Sequence, residues 1–176
     1  MMRTAKILSA GIILMVFAAA TTFALTDTAT HDVEITVAEV ALIGLNNTTL
    51  VTLNTVAPGS AGADPTGSSD TGKTVQYTSL NATGFTRDIE ADIDAATPGG
   101  TSLSLACDPG GGVAGTTAGA VTLSTTPAAI VTGIGSYASG GTGPTLTYQL
   151  NVTAVGSLVV GTVGTVTVTL TLAEDG

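Results

Sequence analysis

Hydrophobic and polar residues alternate along most of this chain, and the clearest case is its final stretch. From Thr165 to Leu172, threonine alternates strictly with valine or leucine. Successive side chains of a β-strand point to opposite faces of a sheet, so this pattern puts the aliphatic groups on one face and the hydroxyls on the other. Both residue types favour a pleated, half-buried surface. The stretch therefore predicts a strand whose aliphatic face is covered by the rest of the chain.

The same period of two recurs in about nine segments that are separated by Gly, Pro, Asn and Asp residues typical of turns. The predicted strands cover residues 33–45, 49–56, 73–80, 85–94, 101–106, 120–124, 128–132, 145–152 and 163–172. No segment after residue 30 has a clear helical period. This pattern predicts an all-β fold, an antiparallel β-sandwich of about 7–9 strands rather than a closed barrel, because the strand lengths are uneven and the loops are long. We expect the last two strands to form a wide hairpin.

The N-terminus has the pattern of a secretory signal peptide. Arg3 and Lys6 precede an apolar run over residues 7–17, and small residues follow, with possible cleavage after Ala20 or Ala24. We take cleavage after Ala24, which predicts a signal peptide at 1–24, a single domain at 25–176 and an extracellular, cell-surface or periplasmic location. The alternative is a retained N-terminal anchor, although the apolar run is short for a membrane span.

Removal of residues 1–24 leaves two basic residues, Lys73 and Arg87, against thirteen acidic residues, a formal charge of −11. Such a chain cannot neutralise phosphates, so nucleic acid is excluded as a partner and anionic membranes are disfavoured. Calcium or a basic partner is compatible with this charge. The mature chain contains no further segment that predicts a membrane span.

The chemistry of known enzyme classes is poorly represented. The chain has one histidine, no tryptophan and no nucleophile motif between a strand and a helix, so we predict that it is not an enzyme and needs no organic cofactor. Cys107 is the only cysteine and lies in an apolar, strand-like segment. We therefore expect a small buried side chain, with an intermolecular disulfide as the alternative.

Four acidic residues, Asp88, Glu90, Asp92 and Asp94, share one face of the predicted strand 85–94. Like charges so close together repel each other. One interpretation is a solvent-facing charged surface that prevents edge-to-edge aggregation. The other is a calcium site that uses some of these carboxylates together with loop oxygens.

Four asparagines begin Asn-x-Ser/Thr triplets, namely Asn46, Asn47, Asn81 and Asn151. In so threonine-rich a chain several triplets arise by chance. If the host glycosylates exported proteins, Asn81 is the best candidate because it lies in a predicted turn.

The apolar opening strand around Val33, the segment from Leu146 to Leu150 and the alternating strand at the end resemble small immunoglobulin-like surface proteins of bacteria. These are fimbrial (pilin) subunits, spore-coat-U type domains and WxL-type domains. The chain lacks the Trp-x-Leu motif of the last family and the paired cysteines of usual fimbrial subunits. The resemblance implies that the antiparallel β-sandwich is immunoglobulin-like. It also implies a surface filament or coat subunit, in which an extended segment of one chain completes the sheet of another.

Two segments are candidate strand donors, residues 33–45 and residues 163–172, and the alternative is that both are strands of the chain's own sheets. In the first segment, Val33, Ile35 and Val37 would fill an acceptor groove. The competing function is a monomeric extracellular binding module for carbohydrate or protein, using loops such as 57–72 and 135–144 at one end of the sandwich.

Overall fold

The computed structural model describes residues 28–108 and 114–175, and the chain divides into two units. The first unit is 1–36, and its described residues, 28–36, form neither strand nor helix and are all exposed. The second unit is 37–176 and contains every strand that the described residues form. The predicted signal peptide at 1–24 lies outside the described residues. Within the described ranges, no helix is long and apolar enough to cross a membrane.

The larger of two main sheets is built around one long strand, β4. Its strand order is β1-β4-β11-β6-β8, with β10 also paired to β4, and all pairings are antiparallel. The strands are β1 (Val40–Leu45), β4 (Ser69–Leu80), β6 (Thr101–Asp108), β8 (Val121–Thr122), β10 (Tyr137–Ala138) and β11 (Thr145–Val152).

The smaller main sheet has the order β12-β5-β9-β7 and is also antiparallel. Its strands are β5 (Arg87–Ile93), β7 (Thr116–Thr117), β9 (Ala128–Ile134) and β12 (Val168–Glu174). A short ribbon pairs β2 (Thr55–Val56) with β3 (Thr66–Gly67). The prediction of an all-β, antiparallel fold is confirmed.

Residues from both main sheets form one hydrophobic core. In β5, Ile89, Ala91 and Ile93 are buried, whereas the acidic residues between them are only partly covered. Burying an isoleucine of this kind contributes roughly 1.5–3 kcal/mol. The period of two that the sequence shows in this segment is thus the one that builds the core. The other fully buried large aliphatic side chains are those of Leu105, Ile130, Ile134, Leu146, Val75 and Val131.

The expected hairpin of the last two strands is wrong. β11 lies in the larger sheet, where its two edges already pair with β4 and β6, so no edge remains for the final strand. β12 pairs with β5 in the smaller sheet instead. Hydrogen bonds hold both ends of the connection from β11 to β12. Thr153 N–H donates to Gly100 O at 2.8 Å, and Thr167 N–H donates to an Asp94 carboxylate oxygen at 2.7 Å.

The first two predicted strands are much shorter in the structure than in the sequence pattern. Of residues 33–45, only 40–45 form a strand, and of residues 49–56, only 55 and 56 do. The final strand begins at Val168 rather than Val163. Each of these segments has the alternation of a strand, but no neighbouring strand pairs with it over its full length in the described part of the chain.

Candidate functional site

An exposed N-terminal arm, residues 28–38, precedes the first strand. It forms no strand or helix, and all of its residues are exposed. The predicted donor residues Val33, Ile35 and Val37 are 69%, 81% and 76% exposed. These three aliphatic groups keep the period of two of a strand without any described strand to pair with. The arm is therefore a candidate for binding to another surface.

A second candidate feature is an open side of the domain. Within the described ranges β1 pairs only with β4, and β12 pairs only with β5, so each has a free edge, and the two strands contact each other. Leu42 of β1 is exposed, whereas eight other aliphatic groups along these two edges are half-buried and pack against the fully buried core. They are Ile43, Leu45, Val51 and Leu53 on and after β1, and Val166, Val168, Leu170 and Leu172 on and before β12.

Arg87, the first residue of β5, is buried at the corner where the arm joins the sheet. Its Nη1 donates to the carbonyl oxygens of Val40 at 3.0 Å and Leu80 at 3.2 Å, and to Ser79 Oγ and Asn81 Oδ1. Its Nη2 lies 4.0 Å from Glu39 Oε2 and 3.7 Å from Glu174 Oε1. One guanidinium group thus connects the start of β1 with the ends of β4 and β12. Around it lies a pocket of about 290 Å³, lined also by Ala82, Phe85 and Thr86.

Lys73 is buried in β4 and has a comparable role. Its Nζ donates to Asn47 Oδ1 at 2.5 Å, to Asn47 O at 3.3 Å, to Thr49 Oγ1 at 3.0 Å and to the carbonyl oxygen of Thr49. These acceptors belong to the irregular segment that continues β1 along β4. The ammonium group therefore holds that segment against the sheet through uncharged oxygens.

The acidic residues of β5 alternate with its buried residues and lie on the outer face of the smaller sheet, and Asp94 follows the end of the strand. Asp88 accepts a hydrogen bond from Gly133 N–H at 2.9 Å, and Asp94 accepts one from Thr167 N–H. The Thr167 backbone donor lowers the pKa of Asp94, because it stabilises the charged carboxylate. Glu90 and Asp92 are half-buried between them along the strand.

In the part of the chain that the structure describes, no three His, Cys, Asp or Glu side chains are placed to hold a metal ion. The calcium hypothesis for Asp88, Glu90, Asp92 and Asp94 stays a prediction. It is tested by the melting temperature in calcium and in chelator, because a bound ion must raise that temperature.

Asn81, the favoured glycosylation candidate, is a poor acceptor in this geometry. Its Nδ2 donates both hydrogens, to Ile134 O at 2.9 Å and to Phe85 O at 3.2 Å, and its Oδ1 accepts from Arg87. The sequence predicts the turn correctly, but it does not reveal that the Asn81 amide is hydrogen-bonded within the domain.

The two loops proposed for ligand binding do not lie together at one end of the domain, because residues 135–144 run along β4 from Asn81 to Val75. Residues 57–65 connect β2 to β3 near Leu150, whereas Ser136 bonds Asn81 close to Arg87. The first loop is also shorter than expected, because β3 and β4 begin within it.

Comparison with known proteins adds no identification. No family model matches the chain, no curated protein matches it, and no solved structure matches it. The arm, the open side and the buried cations are therefore the basis for a functional proposal. Sequence patterns had singled out the arm, but not the cations; the only signal for them was the isolation of two basic residues within strand segments.

Proposed function

We propose that this protein is a secreted structural or adhesive surface protein whose subunits assemble into a filament or coat by β-strand addition. Its two main sheets would face each other as an immunoglobulin-like sandwich, and it would have no enzymatic activity. The observation that carries the proposal is that one chain has both an exposed arm with the alternation of a strand and strands with free edges. The arm of one subunit would lie along the open side of the next.

The energetics favour such an exchange. Transfer of Val33, Ile35 and Val37 from water to an apolar groove contributes up to roughly 1.5–3 kcal/mol for each side chain, less the entropy of ordering the arm. The free edge of β12 is the better acceptor, because its residues from Val168 to Leu172 alternate regularly, whereas those of the equally uncharged β1 do not. Main-chain hydrogen bonds to this edge give strength, and alternate aliphatic contacts fix the register.

The N-terminal sequence pattern and the charge of the mature chain support an exported location. A formal charge of −11 keeps such a chain soluble and disfavours binding to nucleic acid. Its few aromatic residues provide little surface for stacking on sugars.

The test is the assembly of purified residues 25–176, followed by light scattering against concentration and by electron microscopy. We expect concentration-dependent filaments or sheets for the unmodified chain. The variant V33S/I35S/V37S should remain monomeric with an unchanged melting temperature, since these side chains are exposed in the monomer.

The matched control is V159S/V160S/V163S, which removes three exposed valines from the loop before β12 and should assemble normally. If both variants assemble as the unmodified chain does, the arm is not the donor. If the unmodified chain stays monomeric at every concentration, the monomeric binding module becomes the better description.

A further inference from the structure

Nothing in the amino-acid pattern marks a boundary between the arm and β1. Residues 33–45 read as one continuous apolar strand, yet only 40–45 pair with β4. β1 is itself an edge strand, and edge strands open more easily than central ones. An arm bound to another subunit would therefore be expected to draw β1 out of its own sheet as well.

The side chain of Glu39 ties the chain down at this boundary. Its Oε1 accepts a hydrogen bond from Ala82 N–H at 2.9 Å, and its Oε2 lies 4.0 Å from the Arg87 guanidinium. The next residue, Val40, is held through its carbonyl oxygen by the same guanidinium group at 3.0 Å. The two contacts of Glu39 join the last residue before β1 to the turn that follows β4 and to the start of β5.

Burial makes Arg87 well suited to fix a position. A buried guanidinium group that lost its acceptors would leave charged donors unsatisfied, which is costly, so it resists movement of the carbonyl groups around it. It is the start of β1, rather than its middle, that this group holds. A strand that is held at its exposed end cannot fray from that end.

We propose that Arg87 and Glu39 form a latch that sets where the arm ends, so that β1 stays in its own sheet while the arm is free to bind elsewhere. Arg87 and Glu39 are positioning residues in this arrangement. The part of the inference that concerns arm donation rests on the proposed function, whereas the latch itself is a property of the single subunit.

Native-state hydrogen exchange on dilute, monomeric residues 25–176 tests the latch. In the unmodified chain we expect unprotected amides up to residue 38 and protected amides from β1 onward. In E39A the protection of β1 should fall by several-fold, up to about tenfold, because the contacts of Glu39 with Ala82 and Arg87 are lost while the bond from Arg87 to Val40 remains. The protection of β6 and β11 should stay unchanged. The internal strands thus report whether the variant is still folded.

The matched control is E174A, which removes the other carboxylate beside Arg87, at 3.7 Å, but leaves the contacts of Glu39 and Val40 intact. Its β1 protection should change by less than about twofold. Equal loss of β1 protection in E39A and E174A, or loss in neither, overturns the latch. Since exchange is measured on monomers, this result is independent of whether the protein forms filaments.

Discussion

At the scale of single residues, the two positive side chains of the described ranges are the most informative. Lys73 and Arg87 are both buried, at 5% exposure each, and each donates mainly to uncharged oxygens. Burying a charge is costly unless its hydrogen bonds are satisfied, so these residues act as interior clamps rather than as surface charges. The sequence shows that they are scarce, but not that they point inward, because their acceptors come from distant or irregular segments.

Cys107 leads to a prediction at the same scale. Its thiol is buried, and this burial, with a smaller effect of Asp108, raises its pKa from 9.0 to about 11. Since the thiolate is the reactive form, the native protein should react with Ellman's reagent at pH 8 at least about a hundredfold more slowly than the unfolded chain. Equal rates in buffer and in urea would contradict the structure.

The same shift predicts how stability varies at alkaline pH. The folded protein holds the thiol proton more tightly than the unfolded chain, so its advantage is complete below pH 9 and is lost as the pH rises from about 9 to 11. Burial also raises the pKa of Tyr148 and Tyr77, which acts in the same direction. Urea midpoints measured from pH 8 to 11 should fall, and C107A should fall less steeply.

At the scale of elements, the sequence predicts strands well where one face of the strand packs in the core and the other faces outward. The segments that became β4, β5, β6, β9 and β11 are close to their predicted ranges, because their aliphatic residues meet the core. It overestimates residues 33–39 and 49–54, where the same alternation exists but no strand pairs with them among the described residues. Pairing is a property of the partner edge, so no local pattern reveals it.

The candidate site likewise has features that local alternation reveals and features that depend on strand pairing. The donor residues Val33, Ile35 and Val37 were singled out from alternation alone, whereas the open side and the Arg87 corner depend on which strands meet. The last strand illustrates the point: its aliphatic face is visible in the sequence, but its neighbour, β5, is not.

Two substitutions on the neighbouring strands β5 and β12 test the difference between the closed core and the open side. Ile89 of β5 is fully buried, whereas Leu170 of β12 is half-buried. I89A should lower the free energy of unfolding by about 2–5 kcal/mol, through lost burial and a cavity. L170A should cost roughly 1–2 kcal/mol, because water already reaches this side chain. Urea unfolding measures both; a larger loss for L170A would mean that the β12 side is closed.

At the scale of the whole molecule, the charged residues are distributed unevenly along the sequence. No charged residue occurs between Pro109 and Ala173, so the acidic residues are concentrated in the first part of the chain and at its end. Assembly through an uncharged β12 edge must therefore overcome repulsion between subunits that each carry many negative charges.

This repulsion predicts that assembly depends on salt. At about 10 mM salt the screening length is roughly 30 Å, and near 1 M it is roughly 3 Å, so the assembly followed by light scattering should increase with sodium chloride. The variant E90Q/D92N, which removes two charges from the outer face of β5, should show a weaker dependence. Assembly that decreases with salt would indicate that attraction between opposite charges, not apolar contact, drives association.

The inward placement of Lys73 and Arg87 also determines how the protein meets a protease. Trypsin cleaves after lysine and arginine, and in the described ranges the only two such peptide bonds lie within β4 and β5. As long as these strands are closed, the folded domain therefore offers this enzyme no accessible bond in these ranges. The rate at which tryptic fragments from these ranges appear then measures how often β4 and β5 open.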